Sequence, residues 1–450
     1  MSKVIKLRKG FDIKLIGEAE RVLVNAPQPE TVAVKPTDFI GVVPRMMVEP
    51  GTEVKAGSPL FHDKNDEKLV FTSPVSGEVI DIRRGVKRKL LEVVVLADKE
   101  TEYIDFGKAD PNPLSREAII DKMMHGGIWP VLRQRPFKVI ANPTDVPKAI
   151  FISAFDSAPL APDMDFIMHG QSRDFQTGID ALKKLTTGKV HLNIRNNAPV
   201  SDIFTNARGV QINKFEGPHP AGCTGVQIHH IDPLGKNETV WVVNPQDVLV
   251  IGRLFNEGRY NAGKIIALAG SEVKQPKYYK TITGSSIKPI TADNILQGNN
   301  RYISGNVLSG TKISNEGFLG FYDSMITVIP EGDQPEFMGW LAPGFDKVSL
   351  SRTFFTWLTP NKKYRLDTNQ HGEERAFVLT GEYEKVLPMD IYPMHLLKAI
   401  MIGDIEAMEN LGIYEVDEED LALCEFICTS KMPIQKIIRQ GLDLTRAETA

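Results

Sequence analysis

Cysteine and histidine are the residues of this chain that could begin redox or metal chemistry. The 450 residues include three cysteines, and Cys424 and Cys428 stand four positions apart. An iron–sulfur cluster takes four ligands, usually thiolates, and here only two thiols lie near each other. Leu421, Cys424 and Cys428 would share one helical face, where a free cysteine behaves as a small apolar side chain. The spacing therefore predicts structural cysteines and no cluster.

Three histidines, His219, His229 and His230, lie in the stretch 216–233, which is rich in glycine and proline. Glycine and proline at this density fix an unusual backbone path. On a strand His229 and His230 would point to opposite faces, and no carboxylate or cysteine cluster completes a tetrahedral ligand set. We therefore predict no metal site, and we interpret His219 as a turn residue held by the prolines on either side of it.

The glycines of the chain offer no good cradle for a cofactor phosphate. Such a cradle needs several backbone N–H groups aimed at one anion. In the segment His125-Gly-Gly-Ile-Trp-Pro130, two glycines are followed by bulky residues and by a proline, which has no N–H. No G-x-G-x-x-G motif follows a predicted strand, so the dinucleotide fingerprint is absent as well. The sequence therefore predicts that this chain binds neither a flavin nor a nicotinamide dinucleotide.

The stretch from Trp129 to Phe137 combines two aromatic rings with Arg133 and Arg135. The rings either pack between domains or form a shallow slot in which a quinone ring stacks, with an arginine on a quinone carbonyl. Quinone pockets have no short motif, because they are apolar clefts with a few polar groups. Packing is the interpretation that we favour.

The composition is that of an ordinary globular protein, with 42% apolar residues, 24% charged residues and a net charge of −4. It shows no basic footprint for nucleic acid. The first residues have no apolar core for a signal peptide, and no apolar run approaches the roughly 20 residues of a spanning helix. Three cysteines are too few for a disulfide scaffold. We therefore expect a reduced, cytoplasmic chain that reaches a membrane only through other chains.

The first ~100 residues contain many short strands by their turn spacing. Within them, Val48–Leu60 and Phe71–Ile80 look like the half-motifs of the barrel-sandwich hybrid found in lipoyl and biotinyl domains. A carrier of that type needs its lysine at a hairpin tip in a Met-Lys-Met or Asp-Lys-Ala context. Lys64 and Lys68 have neither context, so we predict solvated turn lysines without a prosthetic group.

From about residue 110 to about residue 260, apolar strands alternate with helical patterns, which predicts βαβ units. Short apolar runs at 149–153, 190–194 and 239–243 predict strands, and Pro245 opens the following helix. A third region resembles a small β-grasp domain. From about residue 385 the pattern is helical, and the expected helix starts include Pro393, Asp404 and Pro433.

Four stretches that lie in order along nearly the whole chain resemble one family. They are Gly126–Phe137, Gly217–Gly222, Ile303–Thr311 and Glu418–Cys428. The family is the NqrA subunit of the bacterial Na+-translocating NADH:quinone reductase, which is related to RnfC and to the flavin-binding subunit of respiratory complex I. The resemblance implies an α/β multidomain fold. Its expected parts are a biotinyl/lipoyl-like barrel-sandwich hybrid (1–105), an α/β Rossmann-like domain (106–260), a small β-grasp (SLBB-like) domain (261–335), a connecting β-rich segment (336–384) and a C-terminal helical domain (385–450).

The same resemblance implies a role in a respiratory complex that reduces ubiquinone with NADH and exports Na+. This chain would be a cofactor-free scaffold subunit, with FMN, FAD, riboflavin and iron–sulfur centres on partner subunits. It would lie peripherally on the cytoplasmic face of the inner membrane, bound through those partners, and would not be catalytic alone.

The chain could also contribute to the quinone site of such a complex. The candidate residues are Trp129, Arg133, Arg135, Phe137, Pro218, His219, Pro220 and Gly222. Two other functions stay open, namely an interaction module without substrate contact and a flavin-dependent dehydrogenase, which would carry a yellow chromophore.

Overall fold

The computed structural model describes residues 3–333, 336–339 and 341–449. Strands and helices are numbered along the chain. The strands are β1 (Lys3–Lys6), β2 (Glu20–Asn25), β3 (Thr31–Val34), β4 (Pro44–Met46), β5 (Glu53–Val54), β6 (Pro59–Asp63), β7 (Asp66–Thr72), β8 (Gly77–Arg84), β9 (Leu90–Ala97), β10 (Arg133–Arg135), β11 (Val139–Ile140), β12 (Ala149–Ser153), β13 (Lys189–Arg195), β14 (Gln211–Glu216), β15 (Val240–Val242), β16 (Gly263–Ala269), β17 (Lys277–Ile282), β18 (Asn300–Ser304), β19 (Thr311–Ile313) and β20 (Met325–Pro330).

The α-helices are α1 (Arg116–His125), α2 (Met164–Met168), α3 (Ser172–Leu185), α4 (Asp202–Thr205), α5 (Thr224–Ile231), α6 (Pro245–Glu257), α7 (Lys288–Thr291), α8 (Tyr383–Val386), α9 (Pro393–Ile402), α10 (Ile405–Asn410), α11 (Ala422–Ile427) and α12 (Ile434–Thr449). Short 3-10 turns lie at Pro36–Asp38, Val86–Arg88, Trp129–Val131, Phe355–Leu358, Ile413–Glu415 and Glu418–Leu421.

The central α/β domain is built on a seven-stranded sheet in the order β1-β14-β13-β12-β15-β10-β11. Strands β1, β14, β13, β12 and β15 are parallel, and β10 runs antiparallel to β15. The segment Ala149–Ile152 of β12 and the whole of β15 are buried, as expected for parallel strands covered by helices on both faces. From β12 the chain moves outward through β13 and β14 and then returns to β15 on the other side of β12. This reversal makes the carboxyl ends of β12 and β15 the switch point of the sheet, where such folds bind ligands.

Two smaller sheets, β3-β9-β8-β5 and β4-β6-β7, form the N-terminal barrel-sandwich unit. Its core includes Phe61 stacked on Phe71, with ring centroids 4.6 Å apart. The β-grasp region forms a six-stranded sheet in the order β19-β18-β20-β16-β17-β2. The three types of strand region predicted from the sequence are therefore present.

The first 25 residues depart from the predicted N-terminal unit of 1–105. Strand β1 pairs in parallel with β14 of the α/β sheet, and β2 pairs in parallel with β17 of the β-grasp sheet. Ile5 and Leu7 are buried in the cluster that also holds Phe215 of β14. The N-terminal segment therefore ties two domains together, because each short strand gains a partner at the edge of a different sheet.

The prediction of a β-rich segment at 336–384 is wrong for the described residues of that range. They contain no strand, only a 3-10 turn at Phe355–Leu358, the first residues of α8 and one isolated bridge between Leu15 and Tyr364. The segment lacks the apolar alternation that would give a sheet a buried face.

The C-terminal domain is helical, as predicted. Pro393 is the first residue of α9, and Gly403 ends that helix in the left-handed region at φ 73°. The side chain of Asp404 then accepts a hydrogen bond from the N–H of Ala407 at 2.9 Å and caps α10. Helix α12 begins directly after Pro433. Among the described residues, no helix is both long enough and apolar enough to cross a membrane.

Cys424 and Cys428 lie inside the C-terminal apolar cluster, and each is 1% exposed. Helix α11 ends at Ile427, so Cys428 is one residue past it. The hydroxyl of Tyr383 donates a hydrogen bond to Cys428 Sγ at 2.8 Å. Burial raises the pKa of the Cys424 thiol, so that thiol stays protonated. Both side chains act as core residues here.

We predict that the double variant C424A/C428A loses about 1–4 kcal/mol of unfolding free energy through lost burial. Urea unfolding of the purified chain followed by circular dichroism measures the loss. Met401→Ala, at a 53% exposed position of α9, serves as the control and should cost little. A folded, fully assembled double variant that no longer supports electron transfer would contradict a structural role for these cysteines.

Candidate functional site

A cleft of about 560 Å³ opens at the carboxyl ends of β12 and β15. Ser153, the last residue of β12, and Asn244, just before α6, lie in its floor. The 305–325 region of the β-grasp domain and residues 418–439 of the C-terminal domain form further walls, and Asp38 comes from the N-terminal unit. All four parts of the chain thus meet at the switch point of the sheet. The volume lies within the range of small-molecule sites.

A buried row of amides holds the floor of the cleft. The side-chain amide of Asn213 donates to Asn193 at 2.9 Å, and that of Asn193 donates to Gln227 at 2.8 Å. Gln227 in turn donates to the hydroxyl of Ser153 at 2.9 Å and to the carbonyl of Ala221 at 3.2 Å. Because these polar groups satisfy one another, they fix helix α5 and the 218–222 turn relative to the sheet.

His219 lies in that turn and is 3% exposed. The peptide bond between His219 and Pro220 is cis. The backbone N–H of His219 donates to Asp12 Oδ1 at 2.8 Å, and its carbonyl accepts from the N–H of Phe11 at 2.9 Å. Burial lowers the pKa of the imidazole to about 4, so the ring is neutral near pH 7. The interpretation of His219 as a fixed turn residue is correct, and its ring also forms part of the cleft wall.

A buried ionic cluster joins the α/β domain to the C-terminal domain at the edge of the cleft. The guanidinium of Arg135, at the end of β10, lies 3.1 Å from Asp417, 2.9 Å from Glu419 and 2.8 Å from Asp420. Lys138 lies 3.2 Å from Asp417. Burial alone would raise the pKa of Asp417, but Arg135 and Lys138 outweigh burial and hold that pKa well below its usual range. Asp417 is therefore a carboxylate at every physiological pH.

The carboxylate of Asp420 lies against the first turn of α5. A Cβ added to Gly225 in that turn would be 2.0 Å from Asp420 Oδ2, so only glycine allows this approach. A helix N-terminus favours an anion, and here the chain supplies that anion itself. Glu418 and Glu419 also line the cleft. A cofactor phosphate at the first turn of α5 would meet the carboxylates of Asp420 and Glu419, so this turn does not fit the phosphate of a flavin or dinucleotide.

Arg133 is the cation of this cleft wall that makes no ion pair in the described structure. Its guanidinium stacks over the ring of Tyr322, 4.6 Å from the centroid. Tyr322 donates its own hydroxyl proton to the carbonyl of Pro130 at 2.7 Å. The arginine is thus held in place by an aromatic face while its N–H groups stay available to a ligand.

The aromatic slot, the alternative to packing, does not form. Trp129 is fully buried, its indole N–H donates to the carbonyl of Ala141 at 2.7 Å, and its ring meets Trp241 edge-on at 5.5 Å. Phe137 packs edge-on against Tyr414 of the C-terminal domain. Arg135 is occupied by its three carboxylates, so it cannot serve a quinone carbonyl. Packing is therefore the correct interpretation of these aromatic residues.

The other residues predicted for a quinone site lie either in the cleft wall or in the turn that holds it. Arg133, His219 and Gly222 line the cleft, whereas Pro218 and Pro220 flank His219 in the turn. Sequence reasoning missed the contributions of Asp38, Tyr322 and the acidic run from Glu418. The partner of the acidic run, Arg135, lies 285 positions away from Asp420, so no local pattern connects the two.

His229 and His230 do not lie on a strand as expected, but on helix α5. His229 Nδ1 is 2.6 Å from Glu415 Oε2, and its Nε2 accepts from the N–H of Asp390 at 3.0 Å. His230 Nε2 donates to the carbonyl of Pro388 at 2.7 Å. Both rings therefore attach α5 to the C-terminal domain.

Three family descriptions match successive parts of the chain. They are the NqrA N-terminal barrel-sandwich hybrid domain at residues 5–98, the NqrA second alpha/beta domain at residues 114–260 and the NqrA C-terminal domain at residues 265–315. The NqrA subunit of the Na(+)-translocating NADH-quinone reductase of Neisseria meningitidis serogroup C is 39% identical over 449 residues, covering 99% of this chain and 100% of that protein. The corresponding protein of Yersinia pestis bv. Antiqua is 40% identical over 442 residues, covering 98% of each.

Among solved structures, the NAD+-reducing [NiFe]-hydrogenase in the air-oxidized state is similar at 14% identity with a TM-score of 0.36. The match covers 49% of this chain and 48% of the hydrogenase chain.

Arg135→Met tests the ionic cluster. The change leaves three carboxylates without their shared cation, so we predict a loss of about 3–5 kcal/mol in unfolding free energy. Urea unfolding followed by tryptophan fluorescence measures it. The control is Lys288→Met, which removes the exposed pair with Glu316 and should change stability little. A loss no greater than that of the control would mean that the cluster does not hold the two domains together.

Glu418→Gln tests the acidic wall through pH. Burial and the neighbouring Asp417 raise the pKa of Glu418 to about 8, so the folded chain keeps a proton that the unfolded chain releases above about pH 4.5. A raised pKa of this kind stabilises the fold at low pH, and the benefit is lost as pH rises towards 8. We predict that the stability of wild type relative to E418Q falls by about 1–3 kcal/mol between pH 5 and pH 8.

The difference in unfolding free energy between wild type and a variant cancels the contribution of the other titrating groups. In the control Glu316→Gln, Lys288 lowers the pKa of the exposed Glu316, so any drift with pH should be smaller and opposite in sign. A pH-independent difference for E418Q would contradict the protonated state of Glu418.

Proposed function

Because this chain belongs to the NqrA family of the Na(+)-translocating NADH-quinone reductase, we propose that its cleft forms part of the quinone site of that complex. The chain is a subunit of an enzyme complex, and the other subunits of the reductase are its partners. The substrate for which we argue is the headgroup of ubiquinone.

The observation that carries the proposal is the chemistry of the cleft walls. The carboxylate of Glu419 in the cleft wall and that of Asp420 at the first turn of α5 disfavour an anionic ligand at this end of the cleft, whereas a quinone ring is neutral. Arg133 offers N–H donors to a carbonyl oxygen. The ring of Phe321, which meets Tyr322 edge-on with centroids 4.9 Å apart, offers apolar surface for a flat ring.

Reduction of a quinone needs two electrons and two protons, which convert both carbonyl oxygens into hydroxyl groups. In this proposal the electrons come from NADH through the partner subunits. Glu418 faces the cleft and keeps its proton near neutral pH, so it can protonate a reduced oxygen and take up another proton from solvent. Arg133 would stabilise negative charge on the ring during the reaction.

The redox cofactors, FMN, FAD, riboflavin and iron–sulfur centres, belong to the partner subunits in this proposal. The acidic lining at the start of α5 supports that assignment, because it disfavours a phosphate. We further propose that the chain sits on the cytoplasmic face of the inner membrane and is held there by partners that span it.

A second candidate function is that of an interaction module without substrate contact. It is favoured by the large apolar side chains that lie exposed between residues 337 and 358. They are Phe337, Met338, Leu341, Phe345, Phe355, Trp357 and Leu358. An apolar surface of this kind is typical of a docking region for another protein. Docking through this surface would use residues other than those that line the cleft.

The quinone proposal predicts that filling the cleft blocks binding. Ser324 lines the cleft and is half-buried, so Ser324→Trp places an indole in the space of the headgroup. We expect the affinity for ubiquinone-1, measured by calorimetric titration of the chain and of the assembled complex, to fall at least about tenfold, or roughly 1.4 kcal/mol.

The matched control is Ser314→Trp, at an exposed position of the same domain, which should leave the affinity unchanged. Equal affinities of wild type and S324W in both settings would place the quinone site elsewhere in the complex and leave this chain as an interaction module.

A further inference from the structure

His219 presents one ring nitrogen to Ser157 and keeps the other without a partner. Nδ1 lies 3.1 Å from Ser157 Oγ. Nε2 is buried and has no hydrogen-bond partner among the described atoms of the protein. His219 lines the cleft, so Nε2 is an unsatisfied polar group next to the space that a ligand would occupy.

Ser157 approaches the His219 ring on the side of Nδ1. Its oxygen accepts a hydrogen bond from the backbone N–H of Gly222 at 2.7 Å. A serine hydroxyl also has one proton to donate, and Nδ1 of His219, 3.1 Å away, is an acceptor within its reach. When Nδ1 accepts, the proton of a neutral imidazole resides on Nε2. Burial keeps the ring neutral, since it lowers the pKa of His219 to about 4.

The backbone leaves this ring little freedom. Asp12 and Phe11 bind the N–H and the carbonyl of His219, and a Cβ on Gly10 would lie 2.3 Å from its carbonyl oxygen. The N-terminal segment therefore clamps the turn from one side while Ser157 orients the ring from the other. Neighbouring atoms enclose the nitrogen, so a ligand oxygen reaches it only when the wall of the cleft rearranges.

We propose that Nε2–H of His219 donates a hydrogen bond to a carbonyl oxygen of the oxidised quinone, and that Ser157 is the positioning residue that keeps the proton on Nε2. The inference rests on the proposed quinone site. The hydrogen bond from His219 would give the site a preference for the oxidised quinone over the quinol, which the cleft without this bond does not have. A quinone oxygen only accepts, whereas a quinol hydroxyl carries a proton of its own and competes with the donor.

His219 supplies neither of the two protons of the reaction. Loss of Nε2–H would leave an imidazolate in a buried, acidic environment, which is strongly unfavourable. Its role is to hold the oxidised substrate and to release the quinol once both oxygens are protonated. Proton delivery remains with the carboxyl groups of the cleft, such as Glu418.

The first test is the tautomer itself, which needs no quinone. Nitrogen-15 NMR of the full chain labelled on histidine should show His219 as a neutral ring protonated on Nε2. In Ser157→Ala the partner of Nδ1 is lost, and we expect a mixture of tautomers. Protonation of Nδ1 in the wild-type chain would overturn the proposal, whatever the quinone measurements show.

The second test compares the affinities for ubiquinone-1 and ubiquinol-1, under anaerobic conditions, in the chain and in the assembled complex. We expect wild type to prefer the quinone about five- to tenfold, the scale of one hydrogen bond. His219→Met should lose that preference by weakening quinone binding, His219→Gln should retain most of it through its amide donor, and S157A should fall between wild type and H219M.

The two proposals fail in different ways. If ubiquinone-1 binds wild type and S324W equally, the proposed quinone site is wrong. If S324W blocks binding while H219M binds both redox forms as wild type does, the cleft stands and the role of His219 is wrong. Should H219M fail to fold, S157A and the NMR measurement still decide the question, since Ser157 contributes no bulk to the core.

Discussion

The buried contact between Arg135 and the carboxylates of residues 417, 419 and 420 is the interaction on which the rest of the structure depends. It joins a strand of the α/β sheet to a 3-10 turn 285 positions further along the chain. Burying one cation and three carboxylates is costly, and the attraction among them offsets that cost only when every member is present. Each pair therefore constrains the position of the C-terminal domain. The same contact places Glu418 and Glu419 in the wall of the cleft at the carboxyl ends of β12 and β15.

The same contact decides the chemistry of the cleft. The parallel sheet and helix α5 form an arrangement that, in other proteins of this architecture, binds a phosphate at the helix N-terminus. Here Asp420 lies against that turn, within a distance that only Gly225 permits. The same set of side chains thus joins the two domains and determines which ligands the cleft disfavours. A variant that weakens the contact between the two domains would also move the acidic residues away from the cleft. The Arg135 and Glu418 variants therefore test two consequences of the same contact.

The sequence was sufficient for elements whose signals are local. Pro393, Asp404 and Pro433 mark helix starts because the constraint on the backbone or the capping oxygen lies in the same residue. The buried strand β12 was visible as an apolar run, and Cys424 and Cys428 were identifiable as core residues from spacing alone. Long-range pairings had no such signal. The edge partners of β1 and β2, and the partner of Arg135, depend on how whole domains dock, and short strands carry too little pattern to specify a distant sheet.

The candidate site residues show that chemical composition alone has the same limit. Trp129 and Phe137 have the composition of a stacking slot and also that of a core, and only burial separates the two. His229 and His230 were assigned opposite faces because their segment was taken as a strand, whereas on a helix both reach the C-terminal domain. His219 was located correctly as a turn residue, yet its tautomer depends on Ser157, which is 62 positions away. A neutral histidine held by a serine within acidic walls is a donor without charge. Such a group recognises an uncharged acceptor, and a quinone carbonyl in a cleft that disfavours anions meets that description.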